Sequence, residues 1–389
     1  MKSLYSGTIA AATIAGGWIL VASLYSRADA AIVLQPVVHA SYDPNLIDFE
    51  ISQHESQVKG DPEGAIGWAM LSGAYLARSR ESDSDQFAWK AEAAAAKSLQ
   101  LRVRRNQNAW TKLVQSMLEQ HRFQDALAKT EEGIRNYPDD LPLKRMKADV
   151  LIEVGKLDEA ANLLATVRKG PSDPATGAID ARLASLRGDH QGAIALFRST
   201  MTALAKNPSV SEPGLAWYVT KIATEQEAMG DLTAAHASFD EAVRLYPRSY
   251  KAWLGEARLA MAKHDYDAVV QAADKTLEVA NSLDARALRA DAWLAQGNKA
   301  KAQAEYAAIR DMYHKEVATF DGLGKGGPLH VKPIDRQFAT FAVKHRMFEK
   351  EALVAAKRDY QNRPDETAQR NLEVLRQRVA GASLSSRAE

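Results

Sequence analysis

The chain contains no cysteine. Disulfides, cysteine-ligated zinc, a thiol nucleophile and lipidation on cysteine are therefore excluded. An excess of one charge is missing too. With 50 Lys and Arg against 49 Asp and Glu, no basic surplus exists to hold nucleic acid non-specifically. Proline is scarce, at 13 of 389 residues, and aromatics make up 7%, whereas alanine occurs 69 times. Alanine is the best helix former and strands favour β-branched and aromatic residues, so this balance predicts an all-α chain. Hydrophobic residues at 46% and charged residues at 25% are ordinary for a folded protein. The length suits one long repeat array or two to three ordinary domains.

A long uncharged run stands at the N-terminus. After Met1 and Lys2, residues Ser3 to Ser26 carry no charge and include Ile9, Ile14, Trp18, Ile19, Leu20 and Val21. Arg27 follows, then Ala28-Asp29-Ala30, small residues at the spacing signal peptidase requires. The run exceeds the usual 7–15 residues of a signal core and approaches the roughly 20 that span a bilayer. Residues 1–30 are thus expected to be a signal peptide cleaved after Ala30, or an uncleaved anchor through residues 4–24 with Lys2 on the cytoplasmic side. Both readings export the body, to the periplasm or an equivalent space. Without Lys2, Arg27 and Asp29 that body is formally neutral.

Residues 31–64 read as a linker with a short helix. A self-similar pattern starts at Ala65. Trp68-x-x-Leu71-Ser72-x-x-Tyr75 fits the first-helix signature W-x-x-L-G-x-x-Y of a 34-residue repeat, and Trp110-x-x-Leu113 repeats it, with Ala126 and Pro138 at the later motif offsets. Further copies align on the turn and second helix: Gly155-Lys156-Leu157, Gly188-Asp189-His190, Gly230-Asp231-Leu232, His264-Asp265-Tyr266 and Gly297-Asn298-Lys299. Starts fall near 65, 107, 141, 174, 216, 250, 283 and 333. The chain resembles the tetratricopeptide-repeat superfamily. Within it, Tyr75 to Glu81, Gln120 to Phe123 and Asp335 to Ala339 resemble a group of exported bacterial members of unassigned activity. The resemblance implies a right-handed α-solenoid of about eight helix pairs over residues 65–364, with inserts at 79–86, 206–214 and 314–332. A capping helix and tail occupy 365–389. It also implies a concave groove, lined by the first helix of each pair, that binds protein segments.

Catalytic and metal motifs compete poorly with this scaffold. The nine histidines are scattered without a His-Glu-x-x-His pair, and His121, His190 and His264 fall at or near turns, where a polar residue needs no further role. Asp83 and Asp85 alternate as in a calcium loop, but the glycine and terminal Glu are missing, so a solvated loop is expected. Gly322-Leu-Gly324-Lys-Gly326-Gly327 satisfies G-x-G-x-x-G in form only. A predicted helix ending near Thr319 precedes it and Pro328 follows, where a dinucleotide site needs a strand and then a helix. No Gly-x-Ser-x-Gly elbow is present. No cofactor is expected.

The groove is the better candidate. By resemblance its inner positions include Lys112, Gln115, Arg145, Asp149, Arg182, Trp217, Lys221, Arg258 and Asp291. Each position also fits a solvated helix face. Both charge signs occur, so a protein or peptide of mixed polarity in the cell envelope is the expected partner. Clamps for a chaperone's C-terminal carboxylate use Lys and Asn at the fifth and ninth repeat positions, where Thr111 and Gln115 stand. Trp68, Trp110 and Trp253 are expected in the core. The leading expectation is a non-enzymatic exported scaffold. The alternatives are an inner-membrane-anchored assembly factor for an envelope machine (cytochrome maturation, pilus or secretion apparatus) and, more remotely, an enzyme with a site around Gly322 to Pro328.

Overall fold

The computed structural model describes residue 43 and residues 45–385 apart from 171–172, 208–209 and 323–331. The expected signal or anchor of residues 1–30, linker residues 31–42 and 44, the glycine-rich stretch after Gly322 and the last four residues lie outside the described residues. Among the described residues no helix is long and apolar enough to cross a membrane.

The described residues form eighteen α-helices and no strand. Helix α1 (Leu46–Gly60) precedes eight pairs. These are α2 (Ala65–Ser82) with α3 (Asp85–Leu101), α4 (Gln107–Glu119) with α5 (Phe123–Asn136), α6 (Leu141–Glu153) with α7 (Leu157–Val167) and α8 (Pro174–Leu186) with α9 (His190–Leu204). They continue with α10 (Glu212–Ala228) and α11 (Leu232–Leu245), then α12 (Tyr250–Ala262) and α13 (Tyr266–Val279). The last two are α14 (Leu283–Ala295) with α15 (Lys299–Gly322), and α16 (Asp335–His345) with α17 (Glu349–Asn362); α18 (Glu366–Ser385) closes the array. The pairs start where the repeat register places them, except that the fifth begins at Glu212. There the Ser211 hydroxyl accepts from the Gly214 amide and Pro213 occupies the first turn, a strong start signal ahead of the expected residue 216.

One turn device recurs. Gly155, Gly188, Gly230 and Gly297 end first helices with φ of 80, 82, 79 and 82°, the left-handed region that glycine enters without penalty. The next amide then donates back to the carbonyl five residues earlier, as from Asp189 to Ala184 (2.9 Å) and from Asp231 to Gln226 (3.0 Å). Those same aspartates accept from the amides of Gly192 and Ala234 and so cap the second helix. A Gly-Asp dipeptide thus stops one helix and starts the next. Asp83, His121, His264 and Arg346 adopt the same conformation without glycine.

Pairs touch through small residues. The fourth residue of every second helix, in order Ala88, Ala126, Ala160, Ala193, Ala235, Val269, Ala302 and Ala352, is fully buried. At Gly255 a Cβ would come within 2.3 Å of the Phe239 ring, so that aromatic packs directly on the α12 backbone. The core is a succession of clusters, such as Leu215, Val219, Phe239 and Leu259, rather than one centre, as expected when each pair buries its face against its neighbours.

Two expectations are corrected. The segment 79–86 is helical except for Asp83 and Ser84, and 314–322 continues α15. Polarity suggested a loop at 79–86, but no glycine or proline breaks that stretch and the Arg78–Glu81 pair supports the last turn of α2, while the helix expected to end near Thr319 runs on to Gly322. Trp110 is core, at 3% exposure, but Trp68 and Trp253 are only half-buried. Their indole N–H groups donate to the carbonyls of Pro62 and Pro247, both at 2.9 Å, and tie each helix start to the preceding chain. Six residues before Trp110 stands Arg104, and the Trp110 Nε1 has no partner among the described residues.

Candidate binding surface

First helices α4, α6, α8, α12 and α14 have 13 residues each, whereas α2 has 18. Five extra residues carry the α2 terminus about 7.5 Å further. That extension sets Glu81 and Asp83 against the link between α11 and α12. Tyr246 Oη and Arg248 Nε donate to Glu81 Oε1 at 2.8 and 2.9 Å, and Tyr250 Oη donates to Asp83 Oδ1 at 2.6 Å. Helix α15, with 24 residues, likewise carries Phe320 edge-on to Trp89 of α3 at 5.0 Å. A third tie joins the last pair to the second and third. Asn362 Nδ2 donates to the His121 carbonyl (2.7 Å), and Arg363 pairs with Glu153 (3.0 Å) while lying 4.3 Å over the Phe123 ring. The chain's own contacts therefore join repeats far apart in the array, and Asp83, expected in a solvated loop, is bonded to Tyr250.

Beside the third tie lies a cavity of about 280 Å³, walled by Gln115 and Glu119 of α4, Met146, Asp149 and Glu153 of α6, and by Arg80, Leu118, His121, Phe123 and Arg363. Its charges are largely paired. Arg80 Nε meets Glu119 at 2.6 Å, and Arg182 of α8 reaches back to both Asp149 and Glu153. Burial pushes the Asp149 carboxyl up despite Arg182, and burial reinforced by Arg363 lowers His121 to about 4, so that imidazole is neutral.

All nine expected site residues are half-buried. Gln115 and Asp149 share the cavity wall, and Arg182 joins them through its pairs. Arg258 is held by Glu227 of the preceding pair at 2.6 and 2.8 Å. Asp291 accepts from Tyr306 (2.6 Å) and pairs with Lys344 (2.7 Å) and His345 (2.8 Å). Burial would raise its carboxyl, but these bonds hold it down to about 2. Lys112, Arg145 and Lys221 differ: among the described residues no carboxylate lies within ion-pair distance of them. Lys112 approaches Gln115 Oε1 at 3.5 Å, and Arg145 keeps a buried Nε without a partner. Lys221 lies 5.5 Å over Trp217, whose ring meets Tyr218 edge-on at 4.9 Å. Burial, then the charges of Lys251 and Arg182, lower Lys221 to about 8.

An acidic group faces the same interior. Burial and the charges of Glu316, Asp83 and Glu119 push Asp85 well up, and burial with Asp83 raises Glu316 to about 7. Among the described residues no group of three or more His, Asp or Glu is arranged to hold a metal ion. Sequence reasoning missed Glu81, Asp83, Tyr246, Arg248, Tyr250 and Arg363. The available signal was the extra length between repeat landmarks at 79–86 and 314–332.

Residues 111–174 and 220–278 match the family model described as tetratricopeptide repeat. No curated protein sequence matches the chain. Among solved structures, the Cut9–Hcn1 hetero-tetramer of APC/C aligns with a TM-score of 0.53 and 12% identity over 85% of this chain and 58% of that one. The chain thus spans little more than half of that relative's length. A human IFIT1 dimer with PPP-AAAA aligns with a TM-score of 0.52 and 13% identity, over 85% of this chain and 78% of that one. At such identities the likeness is one of fold.

Proposed function

Since the chain belongs to the tetratricopeptide-repeat superfamily, we propose that it is a non-enzymatic protein-interaction scaffold, exported across the inner membrane, that holds a partner segment against the inner surface of its array. The observation that carries this reading is the contrast among inner-face cations. Arg182 and Arg258 are neutralised by neighbouring repeats, whereas Lys112 and Lys221 have no carboxylate partner among the described residues. A partly desolvated ammonium gains more from an incoming anion than a solvated one does. Trp217, stacked beside Lys221, adds an apolar plate for the same segment.

The test is capture of envelope proteins by the exported body, with Lys112→Glu and Lys221→Glu combined. Recovery of the partner should fall at least tenfold, about 1.4 kcal/mol, because two attractive contacts become repulsive. The matching control reverses Lys129 and Arg135 on α5. Equal recovery by both variants refutes inner-surface binding.

The uncharged run Ser3 to Ser26 favours a second reading, an assembly factor of an envelope machine held at the inner membrane by residues 4–24. N-terminal sequencing separates the two. Ala31 is the first residue of a cleaved protein, and Met1 in the membrane fraction marks the anchored one.

A further inference from the structure

We propose that the Tyr246–Arg248–Tyr250 segment is a receptor for an acidic partner segment with two carboxylates two residues apart, and that the α2–α3 turn occupies it as an internal stand-in. The proposal rests on the reading that a partner binds the inner surface, and it names that partner's chemistry.

The receptor is built from donors. Residues 244–251 read Arg-Leu-Tyr-Pro-Arg-Ser-Tyr-Lys, with three cations and no carboxylate. Tyr246, in an extended conformation, Arg248 and Tyr250 come at alternate positions, and all three point hydrogen-bond donors at Glu81 and Asp83. Two carboxylates at i and i+2 thus meet two phenols and a guanidinium, the charge-assisted bonding that recognises an acidic peptide.

Stacking does not demand this tie. Each repeat is stabilised by its neighbours, and α2 already packs on α1, α3 and α4. The turn instead carries a contact between the first pair and the link joining the fifth and sixth. Asp83 itself is exposed, while burial first and the charge of Asp83 after it raise the carboxyls of Asp85 and Glu316 close by. Because Asp83 faces solvent, an incoming acidic segment can reach the contact and exchange with the turn. Because the stand-in is tethered, it competes at an effective concentration on the order of millimolar. A natural partner therefore needs contacts beyond the receptor, and Lys112 and Lys221 are available on the same surface.

The experiment uses the full chain and a fluorescein-labelled peptide of sequence Arg-Glu-Ser-Asp-Ser-Asp, matching residues 80–85, with an Arg-Gln-Ser-Asn-Ser-Asn control. Fluorescence anisotropy is read for the native chain, for Glu81→Ala with Asp83→Ala, and for that variant with Arg248→Glu added. The double variant should bind the acidic peptide at least tenfold more tightly than the native chain, the amide peptide should not bind, and Arg248→Glu should abolish binding. A double variant of native helicity that binds no better than the native chain overturns the proposal. So does binding that survives Arg248→Glu, or equal binding of the amide peptide. If the alanine variant loses helicity, Glu81→Gln with Asp83→Asn replaces it under the same criteria. Loss of partner capture by the Lys112 and Lys221 reversals, with no peptide binding here, removes this inference and leaves the inner-surface reading standing.

Discussion

The pairs from α4 to α13 and the two elongated helices, α2 and α15, use the same repeat for different ends. The regular pairs spend their side chains on the neighbour: small residues at the crossing, an aromatic such as Phe239 against a bare glycine backbone, and an arginine reaching one repeat back. The elongated helices keep those contacts and add about one to three turns that leave the stack and cross the interior. Regularity gives local stability, and extension gives closure. Substitutions in the two regions should therefore differ in kind.

The largest effect belongs to the regular region. Trp110→Ala removes a 3%-exposed indole and should cost about 3–5 kcal/mol in urea denaturation. Amide exchange should loosen in the first three pairs before the rest, since repeats couple to nearest neighbours. Gly255→Ala comes next. Its new methyl would meet the Phe239 ring at 2.3 Å and should cost about 1–3 kcal/mol by overpacking. Unchanged melting in either variant would show that these crossings are looser than described.

In the closing region the expected losses of stability are smaller and the change of shape larger. Tyr246→Phe with Tyr250→Phe removes two hydrogen bonds, worth about 1 kcal/mol each. Helicity should be kept while the radius of gyration from small-angle scattering rises. Proton binding offers a finer probe. Glu316, ordinarily 4.5, is raised to about 7 by burial and by Asp83, so its contribution to stability is fully present below pH 4.5 and is lost as pH rises through 7. His121 has the opposite sign. Lowered from 6.5 to about 4 by burial and Arg363, it contributes stability above pH 6.5 that is lost as pH falls through 4. Glu316→Gln should flatten the loss between pH 4.5 and 7 and leave the acid limb in place, as thermal melts across pH would record. Least of all, charge reversal at Lys129 and Arg135 should stay within about 0.5 kcal/mol.

The regular region was legible because its signals are local. Gly230-Asp231 writes a helix stop and the next helix start in two letters, and the buried Ala235 four residues later fixes the crossing, so the pairs fall into register from sequence alone. The closing region was not. The residues 79–86 look like a loop because they are polar, yet polar residues without a breaker extend a helix as readily as they leave one. Nothing near Glu81 in sequence points to Arg248, since their meeting depends on the accumulated rotation of four intervening pairs. The expected groove positions lie on the first helices of their pairs. Which cations would be neutralised by the next repeat, as Arg182 is and Lys221 is not, depends on side-chain reach that spacing does not encode.

Closure by the extended α2 is the central claim, and the absence of cysteine makes it directly measurable. Spin labels at Arg80→Cys and Lys251→Cys would bracket the contact between the first pair and the α11–α12 link, and pulsed dipolar spectroscopy would read their separation. The account expects one short, narrow distance in the otherwise native chain, broadening to longer values when Glu81→Ala and Asp83→Ala are added. A broad, long distribution in the native chain, or one unmoved by loss of both carboxylates, would contradict it.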